Sequence, residues 1–155
     1  MIPGKETEAR IDAAIREYPR PQSALLEILH LIQKERGYIA DEDMEYAAAR
    51  LGVPPVHVAG VVSFYTMLRR KPVGRHHIQI CRTLSCQLRG SREILEHLKK
   101  RLGIGEGEVT ADGRFSLVTV ECLGSCGTAP MMQVNDDYYE DLTPAKVDEI
   151  LKSMT

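Results

Sequence analysis

The sequence has no apolar run long enough to cross a bilayer. Its longest nearly apolar stretch, Val58 to Leu68, is interrupted by Ser63 and Thr66 and falls short of the roughly 20 residues a spanning helix needs. Direct membrane insertion is therefore excluded. An excess of one charge is also missing: 20 Lys and Arg stand against 22 Asp and Glu, a formal net charge of -2. Without a basic footprint, DNA and RNA are not expected partners. Met1 to Arg10 is polar and charged and contains no apolar h-region, which predicts no signal peptide and a reducing, cytoplasmic compartment. Internal repeats and low-complexity tracts are absent too. What is present is ordinary globular material, 155 residues of which 43% are hydrophobic and 27% charged. That length suits one domain or two small ones, burying about 70% of the unfolded surface without any need for disulfide staples.

Periodicity divides the chain in two. Ile11, Ala14, Ile15 and Tyr18 predict a helix from about Glu6 to Glu17, stopped by Pro19 and Pro21. A second helix runs from a Ser23 cap through Leu25, Leu26, Leu29 and Ile32 to Arg36, with Gly37 as its left-handed terminator. Asp41 opens a third, ended by Gly52, and Pro54-Pro55 suits the first turn of a fourth through Val58 and Val61. At Arg69 to Gly74 the pattern breaks, which places a domain boundary there, with a helical domain over 1–72 and an α/β domain over 73–155. His76 to Cys81 and Phe115 to Cys122 read as strands, and Ser91 to Leu102 as a helix between them. Met131 to Val134 and Tyr138-Tyr139 form a hairpin around Asn135-Asp136-Asp137, and Thr143-Pro144 begins a last helix. The fold class is α+β: four helices, then strand-helix-strand-strand-strand-helix. A crossover joins the first two strands, so they are expected to be parallel, with the hairpin antiparallel.

In a reducing compartment the four cysteines are more informative than their number suggests, because reduced thiols serve as ligands or reactive groups. Four residues separate Cys81 from Cys86 and three separate Cys122 from Cys126, and each pair begins where a predicted strand ends. Parallel neighbouring strands would bring both loops to one end of the sheet. Structural zinc prefers tighter knuckles, a redox dithiol prefers Cys-x-x-Cys at a helix start, and unconnected core cysteines have no reason to recur at strand ends. A [2Fe-2S] cluster taking two thiolates from each loop suits the pattern best, with zinc the principal rival. The glycines of Leu123-Gly124-Ser125-Cys126-Gly127-Thr128 would let backbone N–H groups approach the sulfurs. Arg82, Arg89 and the start of the helix near Ser91 are candidate sources of compensating positive charge.

Cys81-Arg-Thr-Leu-Ser-Cys86 and Glu121-Cys-Leu-Gly-Ser-Cys126-Gly-Thr-Ala-Pro130, preceded by Gly37-Tyr-Ile and Val62-Ser-Phe-Tyr65, closely resemble the small [2Fe-2S] subunit of the NADH-oxidising module of respiratory complex I. The same family includes small subunits of NAD-linked hydrogenases and formate dehydrogenases. The resemblance covers nearly the whole chain. It implies a helical amino-terminal domain followed by a thioredoxin-like ferredoxin domain, with Cys81 and Cys86 on one iron and Cys122 and Cys126 on the other. It further implies an electron-transfer subunit of an NADH dehydrogenase. Such a subunit docks beside a flavoprotein subunit that carries FMN and the NADH site, within a larger oxidoreductase complex on the cytoplasmic side of the membrane. The rival of another class is a zinc-stabilised protein-interaction module, and a third is a thiol-disulfide oxidoreductase.

The remaining residues fit a carrier without a substrate site. Gly103-x-Gly105-x-Gly107 follows a helix where a dinucleotide loop would open one, so it reads as a surface turn. The five histidines are scattered, and His76-His77 alternates in and out of a strand, a poor metal clamp. The apolar segment Val53 to Leu68, with Phe64, Tyr65 and Met67, is read first as packing and second as a docking surface; Tyr138 and Tyr139 are read as hairpin core and edge.

Overall fold

The computed structural model of the chain describes residues 3–154, in two compact units that divide between Pro72 and Val73. The first is helical: α1 (Lys5–Glu17), α2 (Leu25–Arg36), α3 (Asp41–Leu51) and α4 (Pro55–Phe64). Of the residues the periodicity marked, Ile11, Ala14, Leu25, Leu29, Ile32 and Val58 are buried in its core, where Ile28, Ile39 and Ala47 join them, whereas Tyr18 is exposed. Gly37 and Gly52 end α2 and α3 at φ of 92° and 65°, the left-handed geometry expected of them.

Two helix starts differ from expectation. Ser23 lies inside a 3-10 turn, Pro21–Ala24, and Ala24 precedes α2 without a side-chain cap. Pro21 sets that tight turn, so the chain enters α2 already helical and a serine cap has no N–H left to serve. For α3, Asp41 is the first helical residue, and Asp43 reaches back to accept the Ala40 amide at 2.8 Å. Asp43 is buried, and Arg36 Nη1 donates to both of its oxygens at 2.9 Å, which satisfies the buried charge. The Val53 to Leu68 segment splits its residues. Val58, Val62 and Leu68 enter the core, whereas Val56, Phe64 and Met67 stay exposed.

The second unit contains β1 (His76–Cys81), α5 (Leu84–Leu88), α6 (Ser91–Leu102), β2 (Glu108–Val109), β3 (Phe115–Val120), β4 (Met132–Val134), β5 (Asp137–Tyr139) and α7 (Pro144–Ser153). The five strands lie in the order β2-β3-β1-β4-β5. As expected, β1 and β3 are parallel, in a register that sets Cys81 beside Val120, and β4-β5 is an antiparallel hairpin. Helix α6 supplies Ile94 and Leu98, and α7 supplies Val147, Ile150 and Leu151, to a core shared with Ile78, Ile80, Leu117 and Met132. Thr143 caps α7 by accepting the Lys146 amide at 3.2 Å.

Two short elements, α5 and β2, escaped the sequence pattern. One is barely a turn long, with Leu84 and Leu88 exposed, and the other is two exposed residues, so neither creates an apolar period. Strand β3 also stops at Val120, two residues before the predicted end, leaving Cys122 in a loop. Where β1 begins, Gly74 lies so close to β3 that a Cβ there would sit 2.4 Å from the Phe115 carbonyl carbon.

Candidate metal centre

Register alone brings the cysteines to one end of the sheet. Cys81 closes β1 opposite Val120, Cys122 follows two residues beyond Val120, and the antiparallel pairing of Ile80 with Met132 returns the chain to the same edge. The Cys81 amide donates to the Met131 carbonyl at 3.3 Å and the Arg82 amide to the Val120 carbonyl at 2.9 Å. The loops at 82–90 and 121–131 are therefore sewn together at their base. Cys81 and Cys86 are buried, with Cys86 carried on α5; Cys122 and Cys126 are exposed.

The thiols form two pairs, and donors from each loop serve sulfurs of the other. Cys122 and Cys126 stand 3.5 Å apart, sulfur to sulfur. Burial opposes ionisation of Cys81, but the Thr83 hydroxyl, 3.1 Å away, together with the Thr83 and Leu123 amides and the Cys86 thiol, holds Cys81 below the ordinary thiol range. Burial pushes Cys86 up to about 11, reinforced by its hydrogen bond to Cys81, while the Met131 amide works the other way. The Gly124 amide, donating to Cys122 at 3.4 Å, lowers Cys122, helped by the Cys126 thiol and the Thr83 hydroxyl. Cys126 is raised first by its partner Cys122 and then by burial, against a hydrogen bond from Ser85. Thr83 and Ser85 of the first loop thus reach thiols of the second, and Leu123 and Met131 of the second reach thiols of the first.

Gly124 takes φ of 84°, a conformation that ordinary side chains resist and that turns its amide toward Cys122. This is the N–H approach expected of the glycine-bearing loop. The donor chemistry is that of soft thiolates in two pairs, surrounded by N–H and O–H donors able to stabilise negative charge, and this fits a [2Fe-2S] cluster.

Of the two candidate arginines, Arg82 is paired with a carboxylate and Arg89 is bound to a neutral carbonyl. Arg82 Nε and Nη2 donate to Glu121 at 2.9 and 2.6 Å, joining the residue after Cys81 to the residue before Cys122. Arg89 Nε donates to the Ala129 carbonyl at 2.6 Å and so holds the second loop from the first. Short α5 lies within the first cysteine loop, ahead of α6, and the Thr83, Ser85, Leu123, Gly124 and Met131 donors to the four thiols belong to the two cysteine loops.

Sequence reasoning missed the hydroxyls and one carboxylate. Thr83 and Ser85 sit inside the motif, so their placement between thiols was available as a signal. Glu140 was not: its carboxylate accepts from both Ser125 and Thr128, and only the fold brings it there. Tyr138, read with Tyr139 as hairpin core and edge, is instead half exposed and donates its hydroxyl to the Leu123 carbonyl at 2.7 Å. The Gly103 to Gly107 segment is a surface turn as expected, with the Gly107 amide donating to Leu117 at 2.7 Å.

The model of thioredoxin-like [2Fe-2S] ferredoxins matches residues 11–155, through both units. The chain belongs to that family. An NADH-quinone oxidoreductase subunit of Rickettsia bellii is 46% identical over 143 residues, spanning 90% of this chain and 86% of the relative. NADH-quinone oxidoreductase subunit 2 of Thermus thermophilus is 43% identical over 147 residues, spanning 93% and 81%. Among solved structures, an NAD+-reducing [NiFe]-hydrogenase shares the fold, with a TM-score of 0.72 at 24% identity over 84% of this chain; the match spans only 22% of that hydrogenase chain.

Proposed function

We propose that this chain is the electron-transfer subunit of an NADH-quinone oxidoreductase module. In this reading Cys81 and Cys86 ligate one iron of a [2Fe-2S] cluster, and Cys122 and Cys126 ligate the other. The chain then comprises a helical domain over 1–72 and a cluster domain over 73–155. When bound, the cluster supplies a store for a single electron. The residues around it orient the thiols, donate N–H and O–H groups to the sulfurs, and bury one pair while leaving the other near the surface.

One observation carries the reading: donors of each cysteine loop serve sulfurs of the other, so both pairs face a common space. The 46% and 43% identical relatives are subunits of NADH-quinone oxidoreductases, which favours that complex over a hydrogenase. An electron carrier with no substrate site acts only beside another redox protein. The partner we assign is a flavoprotein subunit bearing FMN and the NADH site, exchanging single electrons with this chain. Leu84 and Leu88, 73% and 78% exposed on the helix that carries Cys86, offer apolar contact close to the thiols. No helix among the described residues is long and apolar enough to cross a membrane; in this reading the chain is held at the cytoplasmic side by its complex.

The purified chain is expected to be red-brown, to hold two irons and two sulfides, to bleach on dithionite and to give a rhombic S = 1/2 EPR signal when reduced. A colourless protein with one zinc per chain supports the interaction-module rival and overturns the cluster reading. Metal-free insulin reduction would point to thiol-disulfide exchange. Affinity capture of the chain with its native complex, followed by assay of the captured subunits for FMN, tests the partner.

A further inference from the structure

The second cysteine loop has little internal structure. Between β3 and β4 its only regular element is the 3-10 turn Cys126–Thr128, and both of its thiols are exposed. A loop of that kind takes its shape from what it touches, and one short segment, residues 138–142 in and after β5, makes five hydrogen bonds to it. The Tyr138 hydroxyl donates to Leu123 at 2.7 Å, the Asp141 amide to Thr128 at 2.7 Å and the Leu142 amide to Pro130 at 2.9 Å. Centrally, Glu140 Oε1 accepts from the Ser125 hydroxyl and from the Thr128 hydroxyl, the latter at 2.6 Å, and the two hydroxyls are 2.8 Å from each other. Ser125 immediately precedes Cys126 and Thr128 follows two residues later, so one carboxylate oxygen closes a ring around Cys126. Lys146 Nζ donates to the Glu140 carbonyl at 2.6 Å and ties this clamp to α7.

We propose that Glu140 is the positioning residue of the cluster site: by accepting both hydroxyls that flank Cys126, it holds the second pair of thiols in ligating geometry and keeps a fixed negative charge beside them. The proposal rests on the [2Fe-2S] reading given above. Glu140 touches no sulfur; it acts through Ser125 and Thr128. Charge-assisted hydrogen bonds to a carboxylate are stronger than neutral ones, which suits a clamp on an exposed loop. A nearby negative charge also disfavours an added electron and so keeps the reduction potential low. A purely structural role would involve the hydrogen bonds alone and leave the potential unmoved when the charge alone is removed.

Full-length wild type, E140Q and E140A separate these effects by iron and sulfide content, EPR-monitored redox titration and the rate of iron release to a chelator. E140Q keeps an acceptor oxygen without the charge. It is expected to retain two irons and the wild-type EPR line shape, with its midpoint potential shifted upward, so that more than half of it is reduced at the wild-type midpoint. E140A loses the acceptor as well and is expected to release iron about tenfold faster at unchanged helicity. An E140Q potential equal to wild type, or an E140A release rate equal to wild type, overturns the proposal. Should E140Q lose its iron on purification, the double variant S125A/T128A decides: accelerated release supports the clamp, and the wild-type rate overturns it. A wild-type chain that binds no iron overturns the cluster reading and this proposal with it. Wild type with two irons beside an unshifted E140Q overturns only the role of Glu140.

Discussion

Arg89 Nε and the Ala129 carbonyl lie 2.6 Å apart, so the residue that closes the first cysteine loop grips the residue that closes the second. The contact joins positions forty apart in sequence, at the edge of the candidate metal centre. Charged hydrogen bonds of this kind contribute about 1.5–3 kcal/mol. R89M is therefore expected to release iron to a chelator about tenfold or more faster than wild type, tenfold corresponding to about 1.4 kcal/mol. Equal release rates would remove Arg89 from the site.

Replacing any one of Cys81, Cys86, Cys122 or Cys126 by Ser is expected to reduce iron and sulfide well below two per chain while leaving the helical unit folded. Iron analysis checks the first outcome and far-ultraviolet circular dichroism the second. Full cluster content in one variant would strike that cysteine from the ligand set.

Gly74, two residues before β1, packs against the backbone of β3 at Phe115. A methyl group there would meet the Phe115 carbonyl carbon at 2.4 Å, and backbone cannot swing aside as a flexible side chain can. G74A is expected to lose about 1–3 kcal/mol by urea denaturation, the range for overpacking. A wild-type midpoint would show that the strands can part at no cost.

Asp148 links α6 to α7: His97 Nε2 donates to it at 2.9 Å and Arg101 Nε at 2.8 Å. The His97 hydrogen bond first, and then the Arg101 charge, hold this carboxyl below the ordinary Asp range against the effect of burial. A depressed folded pKa adds stability above the unfolded value, and that stability is lost as pH falls through the folded value. Wild type should therefore exceed D148N in urea midpoint at a pH of about 6. The gap should shrink as pH drops below 3.8, the ordinary value, and should close under the depressed one. A gap that does not vary with pH would separate Asp148 from this linkage.

Much of the architecture was legible because it depends on local chemistry. Gly37 and Gly52 end helices since only a residue without Cβ adopts their left-handed backbone easily, and alternation in His76 to Cys81, with Ile78 and Ile80 on one face, marks a strand. Elements too short to carry a period, α5 and β2, left no such mark. Ser23 misled for a related reason: a serine signals a helix start only when the chain before it is not already turning, and Pro21 had already begun the turn.

The sequence by itself determined which thiols are on offer, through two cysteine pairs that follow two strands, because spacing along the chain sets which sulfurs can pair within one loop. Only the tertiary structure decided which donors solvate those sulfurs and which residues hold the loops. Thr83 reaching Cys122, Arg89 gripping Ala129 and Glu140 clamping Ser125 and Thr128 are contacts across separate segments. Their partners are neighbours in space through β-sheet register, and no local pattern of residues encodes that register.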